Sequence, residues 1–146
     1  MILDNQNPKN IKANDCVVRA IALATNQSWD KVFNGLYQIA FKKKRMLNEK
    51  QVYETYLQQL GWEKHSQPRL TIYEKGYKDT YKKYTVDEFI TDLNFMKNIR
   101  REHNIYIITV AHHMTCVKYQ GIDFDIYDIW DCSNKTIRNY WTKKGE

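Results

Sequence analysis

The hydrophobic pattern of this chain changes period once, near residue 100, and that change constrains the fold more than any other feature. Before it, apolar residues recur at three- and four-residue spacing, as in helices packed on one face. After it come short runs rich in Ile, Val and Tyr, separated by turn residues, as strands require. Helices followed by an antiparallel meander define an α+β fold. A helical part, about residues 14–98, is expected to pack on a C-terminal antiparallel sheet, about residues 105–141. Residues 1–146 are expected to form a single domain, long enough for a real core.

The elements can be placed one by one. Met1 to Ala13 reads as an irregular arm. Asn14 is a good N-cap for a helix from Asp15 to Thr25, with Val17, Ala20, Ile21 and Ala24 as its buried stripe. Ser28 caps a second helix with Asp30 in its first turn and Val32, Leu36, Ile39 and Ala40 on its apolar face. Asn48 begins a third, with Gln51 as in a capping box, Val52, Tyr56, Leu57 and Leu60 along one side, and Gly61 at its end. Pro68 to Tyr84, with Gly76 inside it, reads as loop and one short strand. Thr85-Val86-Asp87-Glu88 is a further capping box and opens a fourth helix. Strands are expected at Ile105–Ala111, His113–Tyr119, Ile122–Ile129 and Thr136–Trp141, with a hairpin turn at Gln120-Gly121.

Composition narrows the function classes. With 42% hydrophobic residues, wholesale disorder is excluded. No run of eighteen apolar residues occurs, and Met1 to Asn14 lacks an apolar signal segment, so a soluble cytoplasmic protein is expected. The net charge is +6. Its densest cluster, Lys42-Lys43-Lys44-Arg45, ends a helix, where cations complement the dipole. The 11 tyrosines are scattered rather than set out as a stacking platform, so a nucleic-acid partner ranks last. Three cysteines, Cys16, Cys116 and Cys132, read as free thiols. There is no Cys-x-x-Cys or His-x-x-x-His pair, and His112 and His113 point to opposite faces of a strand, so no metal site is expected.

Cys16 is the residue with chemistry to offer. In the first turn of an apolar helix, a thiol feels the positive end of the dipole, which favours thiolate. A nucleophilic thiol needs a base, and the base needs an orienting group. His112 and His113 stand at the start of one strand, and Asp125, Asp128 and Asp131 lie on the next strand and its exit. Strand pairing brings the two sets side by side. Parity separates His113, Thr115 and Val117 from His112, Met114 and Cys116, and either histidine fits the spacing. If Cys116 is buried on the far face as a small hydrophobe, His113 faces the site.

Several stretches carry a resemblance in one order along nearly the whole chain. They are Asn7-Pro8-Lys9-Asn10, Asn14-Asp15-Cys16-Val17-Val18-Arg19-Ala20-Ile21 and Ser28-Trp29-Asp30-Lys31-Val32-Phe33. Tyr84-Thr85-Val86-Asp87-Glu88-Phe89, Ile105-Tyr106-Ile107-Ile108 leading to His113, Tyr127-Asp128-Ile129-Trp130-Asp131 and Tyr140-Trp141 follow. Together they resemble the papain-like cysteine peptidase fold, and within it a group of small phage and prophage cysteine proteases. The ovarian-tumour deubiquitinases also carry an Asp-x-x-Cys stretch, but here Ala13 replaces that Asp.

The resemblance implies Cys16 as nucleophile, His113 as general base and Asp128 as the group that orients the imidazole. Asn10 stands where papain-like enzymes carry the oxyanion-hole Gln; it can donate through its side-chain amide but is one methylene shorter. The Cys16 N–H would be the second donor, and Asn14 competes with Asn10 if it is not the cap. Asp15 and Arg19 read as scaffolding, paired at i,i+4. Trp130 reads as a shield for the triad or a core residue. No cofactor is implied. The partner would be a protein or peptide substrate, a host protein among the candidates, acted on in the host cytoplasm, with no membrane involved. Two function classes follow: a thiol hydrolase working through an acyl-enzyme, or a phage-encoded papain-like scaffold that counteracts a host protein by binding it without turnover.

Overall fold

The computed structural model describes residues 1–72 and 80–145. Its elements are β1 (Ile2–Leu3), α1 (Cys16–Thr25), α2 (Trp29–Lys43), α3 (Lys50–Gln59), β2 (Trp62–His65), β3 (Arg69–Ile72), β4 (Thr80–Lys83), α4 (Val86–Met96), β5 (Ile105–Val110), β6 (His113–Tyr119), β7 (Phe124–Asp128) and β8 (Asn139–Lys143). Four helices and a six-stranded mixed sheet make this an α+β fold. The sheet order is β1-β7-β6-β5-β8-β2, antiparallel throughout except for the parallel β1–β7 pair. β3 and β4 pair separately. Among the described residues no helix is long and apolar enough to cross a membrane.

Helices cover both faces of the sheet. Val17, Val18 and Ile21 of α1 pack with residues of α2 and α3 against Ile107, Met114, Cys116 and Trp141. Val86, Phe89 and Leu93 of α4 pack with Ile108, Val117, Ile126 and Cys132. Neighbours Ile107 and Ile108 therefore serve opposite faces, as the pleat requires. Burial on both faces explains why β5 reads as a continuous apolar run rather than an alternating one.

Capping explains where the helices begin. Ser28 Oγ accepts from the Lys31 N–H at 3.1 Å, and Thr85 and Glu88 form a reciprocal capping box. Two expected caps do not form. Asp15, not Asn14, is the N-cap of α1, and no side chain caps that end. The α3 cap is Glu49, whose carboxylate accepts from the Met46 N–H at 2.6 Å, so the expected Asn48–Gln51 box is absent.

The sheet is less sequential than a meander. The loop after β6 spans residues 120–123, closed by Gln120 N–H to Asp123 O, so β7 starts at Phe124 rather than Ile122. β8 begins at Asn139 and pairs with β5, not β7. The residues before β8 are held instead by α4's entry, where Ile137 N–H donates to Tyr84 O. β1 and β2 add the outer strands, one from the supposed irregular arm. Between Pro68 and Tyr84 the described residues form two short strands rather than one; Gly76 lies outside the described residues.

Candidate active site

Cys16 is the first residue of α1 and is half-buried. The first N–H groups of a helix have no intrahelical acceptor, and α1 has no side-chain cap to take them. The thiol therefore stands among free donors at the positive helix end. Around it α1 is close-packed, with Ala20, Ala22 and Ala24 all buried.

His113 opens β6 directly after a two-residue turn, Ala111-His112. His112 adopts a left-handed backbone (φ 58°) there and is exposed. His113 is buried, and its Nε2 lies 2.6 Å from Asp128 Oδ2. The strand-parity premise is corrected at this point. Cys116 is buried, but on the α1 side with Met114, not on the far face. His113 has the opposite parity and still reaches Cys16 because it is the first residue of its strand, at the end of the sheet where α1 begins.

Asp128 closes β7, the strand bracketed by β6 and β1. Leu3 lies opposite it in register, and Asp4 N–H donates to its carbonyl at 3.0 Å. Its carboxylate is 2% exposed and fully engaged. Oδ1 accepts from Arg19 Nη1 and from the Ile129 N–H, each at 2.7 Å, while Oδ2 faces His113. Arg19 also donates from Nε to Asp15 Oδ1 at 2.7 Å. Asp15 Oδ2 accepts from Asn7 Nδ2 at 3.0 Å and Trp29 Nε1 at 2.9 Å. The charge of Asp15, next to Cys16, is thereby neutralised locally.

These contacts set the protonation states. Burial opposes the Cys16 thiolate, but the His113 imidazole and the Met114 backbone N–H outweigh it, and the thiol sits below its ordinary value. Burial likewise opposes a charged His113. The bond to Asp128 overcomes this, helped by the Cys132 and Cys16 sulfurs, and raises the imidazole to about 11. Asp128 is held low against its own burial by His113 and Arg19. His113 is thus an imidazolium at neutral pH, and beside it the thiolate form of Cys16 is favoured over that of an ordinary thiol.

Cys16 and His113 line one cavity of about 520 Å³, together with Asn14, Tyr53, His112 and Arg138. The structure brings Cys16, His113 and Asp128 together. It does not bring Asn10 there: Asn10 is exposed, in a left-handed turn (φ 53°) closed by its N–H on Asn7 O, and it does not line the cavity. Asn14, freed from capping, does. Asp131 is exposed and accepts from the Ser133 N–H at 2.9 Å, away from the histidine. Trp130 lays its ring 4.5 Å from that of His113 and is 39% exposed, a cover over the His113–Asp128 bond.

Three contributors escaped sequence reasoning. The Arg19–Asp128 bond has no local signal. Asn7 reaches Asp15 from the arm. Cys132, fully buried, puts its sulfur beside His113 and Asp128; one ligand atom from each of the three lies within 4.8 Å of the others. Its position four residues after Asp128 was the available hint. That spacing would suit a metal ion, but Arg19 on the same carboxylate disfavours a second cation there. Comparison of the chain with protein-family models, with curated proteins and with solved structures found no match.

Proposed function

We propose that the protein is a papain-like thiol hydrolase, a cysteine peptidase or isopeptidase working through an acyl-enzyme. The observation that carries this reading is the Asp128-held imidazole, 2.6 Å from its carboxylate, beside a helix-N-terminal thiol on the wall of an open cavity. With Nε2 committed to Asp128, Nδ1 is the nitrogen left for Cys16. The Cys16 thiolate attacks the substrate carbonyl carbon, a C–S bond forms, and the carbonyl electrons move to oxygen. The Cys16 N–H and the Asn14 side-chain amide stabilise that oxyanion. His113 then gives its proton to the leaving amine as the C–N bond breaks. Water attacks the thioester, His113 takes the water's proton, and C–S cleavage restores the thiolate. Asp128 keeps the imidazole oriented throughout and favours its protonated form whenever it carries the proton.

Alkylation by iodoacetamide tests this reading. Exposure alone favours Cys16 over the buried Cys116 and Cys132, so the deciding readout is the pH profile. Cys16 should react with a midpoint below the ordinary thiol value of about 8.5, and His113→Ala should move it back up. A midpoint that ignores His113, or equal labelling of all three thiols, defeats the proposal.

A further inference from the structure

Building on the thiol-hydrolase reading, we propose that the cleft takes an extended acidic polypeptide segment that seats one bulky apolar side chain on an aromatic row of α2. The cavity at Cys16 does not stand alone. A second, about 620 Å³ in volume, adjoins it, and Asn14, Val17 and Asn48 line both. In this proposal the two adjoining cavities serve as one channel passing Cys16.

The second cavity is walled by Trp29, Phe33, Tyr37 and Phe41, one residue per turn along a single face of α2. Successive ring centroids lie 5.0, 6.4 and 6.3 Å apart. Such a row normally faces a core. Here Tyr37 is 52% and Phe41 62% exposed, with Met46 exposed beside them. An open apolar strip of this kind marks a binding surface. It is tied to the reaction site through Trp29, whose Nε1 donates to Asp15, the residue before Cys16.

Charge selects the occupant. Lys50 and Arg138, both exposed, stand over the Cys16 end, and neither has an ion-pair partner among the described residues. Lys44 lies at the far end, with its Nζ 4.2 Å from the Phe41 ring centroid. Arg45 there already pairs with Glu49. Asp15 is the one carboxylate among the described residues lining either cavity, and it is buried and saturated by Arg19, Asn7 and Trp29. An entering chain meets unpaired cations and apolar rings. Acidic side chains are attracted and lysines repelled. A nucleic-acid strand shares the charge and the rings, but a thiolate needs an acyl carbon, which a polypeptide backbone supplies.

The test uses the full chain carrying Cys16→Ala and fluorescein-labelled peptides of about twelve residues, read by anisotropy. One peptide is Glu-rich with a single Phe, one replaces Glu by Lys, and one replaces Phe by Ser. The Glu/Phe peptide should bind about tenfold more tightly than either of the others, with the preference over Lys weakening in salt. Adding Arg138→Glu should weaken it by about fivefold and improve the Lys peptide. Adding Tyr37→Ser should weaken only peptides that carry Phe. Equal binding of the three peptides, or a single-stranded oligonucleotide binding as tightly as the Glu/Phe peptide, overturns the inference. Iodoacetamide labelling of the wild-type chain runs beside it. His113-dependent Cys16 labelling with unselective peptides rejects the channel and leaves the hydrolase; selective binding without His113-dependent labelling rejects the hydrolase and leaves the groove.

Discussion

Arg19 and Asp128 stand 109 residues apart in sequence, yet the guanidinium Nη1 donates to the Asp128 carboxylate at 2.7 Å. The same guanidinium holds Asp15 through Nε at 2.7 Å. One buried cation thus ties the helix that starts with Cys16 to the strand that orients His113. Burial usually makes a charge costly, and here two carboxylates compensate it.

Arg19→Met should strand two buried carboxylates and cost roughly 3 kcal/mol of stability, measured by urea unfolding at pH 7. Asp15 and Asp128 are both held below the ordinary value of 3.8, so their contribution is full above that value and lost as pH falls through their lowered folded values. The gap between variant and wild type should therefore be widest near neutrality and close in acid.

Asp128→Asn keeps the shape and removes the charge that lifts His113. Burial then favours the neutral imidazole, with only the Cys132 and Cys16 sulfurs left to oppose it. The imidazolium, present in the wild type up to about pH 11, should be lost at a lower pH in the variant. Histidine titration followed by NMR checks this, and hydrolysis of a p-nitrophenyl ester should fall by about a thousandfold or more.

Asn14 and Asn10 can be told apart by the same ester. Asn14→Ala should slow the p-nitrophenolate burst by about a hundredfold, the usual loss for an oxyanion donor. Asn10→Ala should leave the burst near wild type, because Asn10 does not line the cavity. The reverse order of effects would return the oxyanion role to Asn10.

Gly35 lies where α2 meets α3. A Cβ added there would come within 2.5 Å of the Tyr56 ring, which is 7% exposed. Gly35→Ala gains about 1 kcal/mol of helix propensity, but the clash should outweigh it, for a net loss of about 1–2 kcal/mol in thermal or urea unfolding.

Local signals were legible wherever a neighbour in sequence carried the physics. Ser28 and the Thr85–Glu88 box set helix starts through bonds only three residues long. The apolar run at Ile105 marked β5 because both its faces are covered. The Asn14 cap failed because α1 starts one residue later, with Asp15 at the cap and its carboxylate taken by Arg19, Asn7 and Trp29. The parity argument favoured His113 only if Cys116 lay on the far face, a premise the packing reverses, and it was the resemblance that singled out His113. Alternation says which residues share a face, not which face a helix will cover.

By itself, the sequence determined the helical first part, the strand-rich second part and a cysteine at a helix start, since each depends on spacing of a few residues. Tertiary structure alone decided the partners. The β6–β7 register, with Cys116 opposite Tyr127, brings Asp128 alongside the start of β6 and within reach of His113. Arg19 and Cys132 then close around that pair. Such contacts join residues far apart along the chain, so their energies leave no periodic trace and appear only when the strands have found their order.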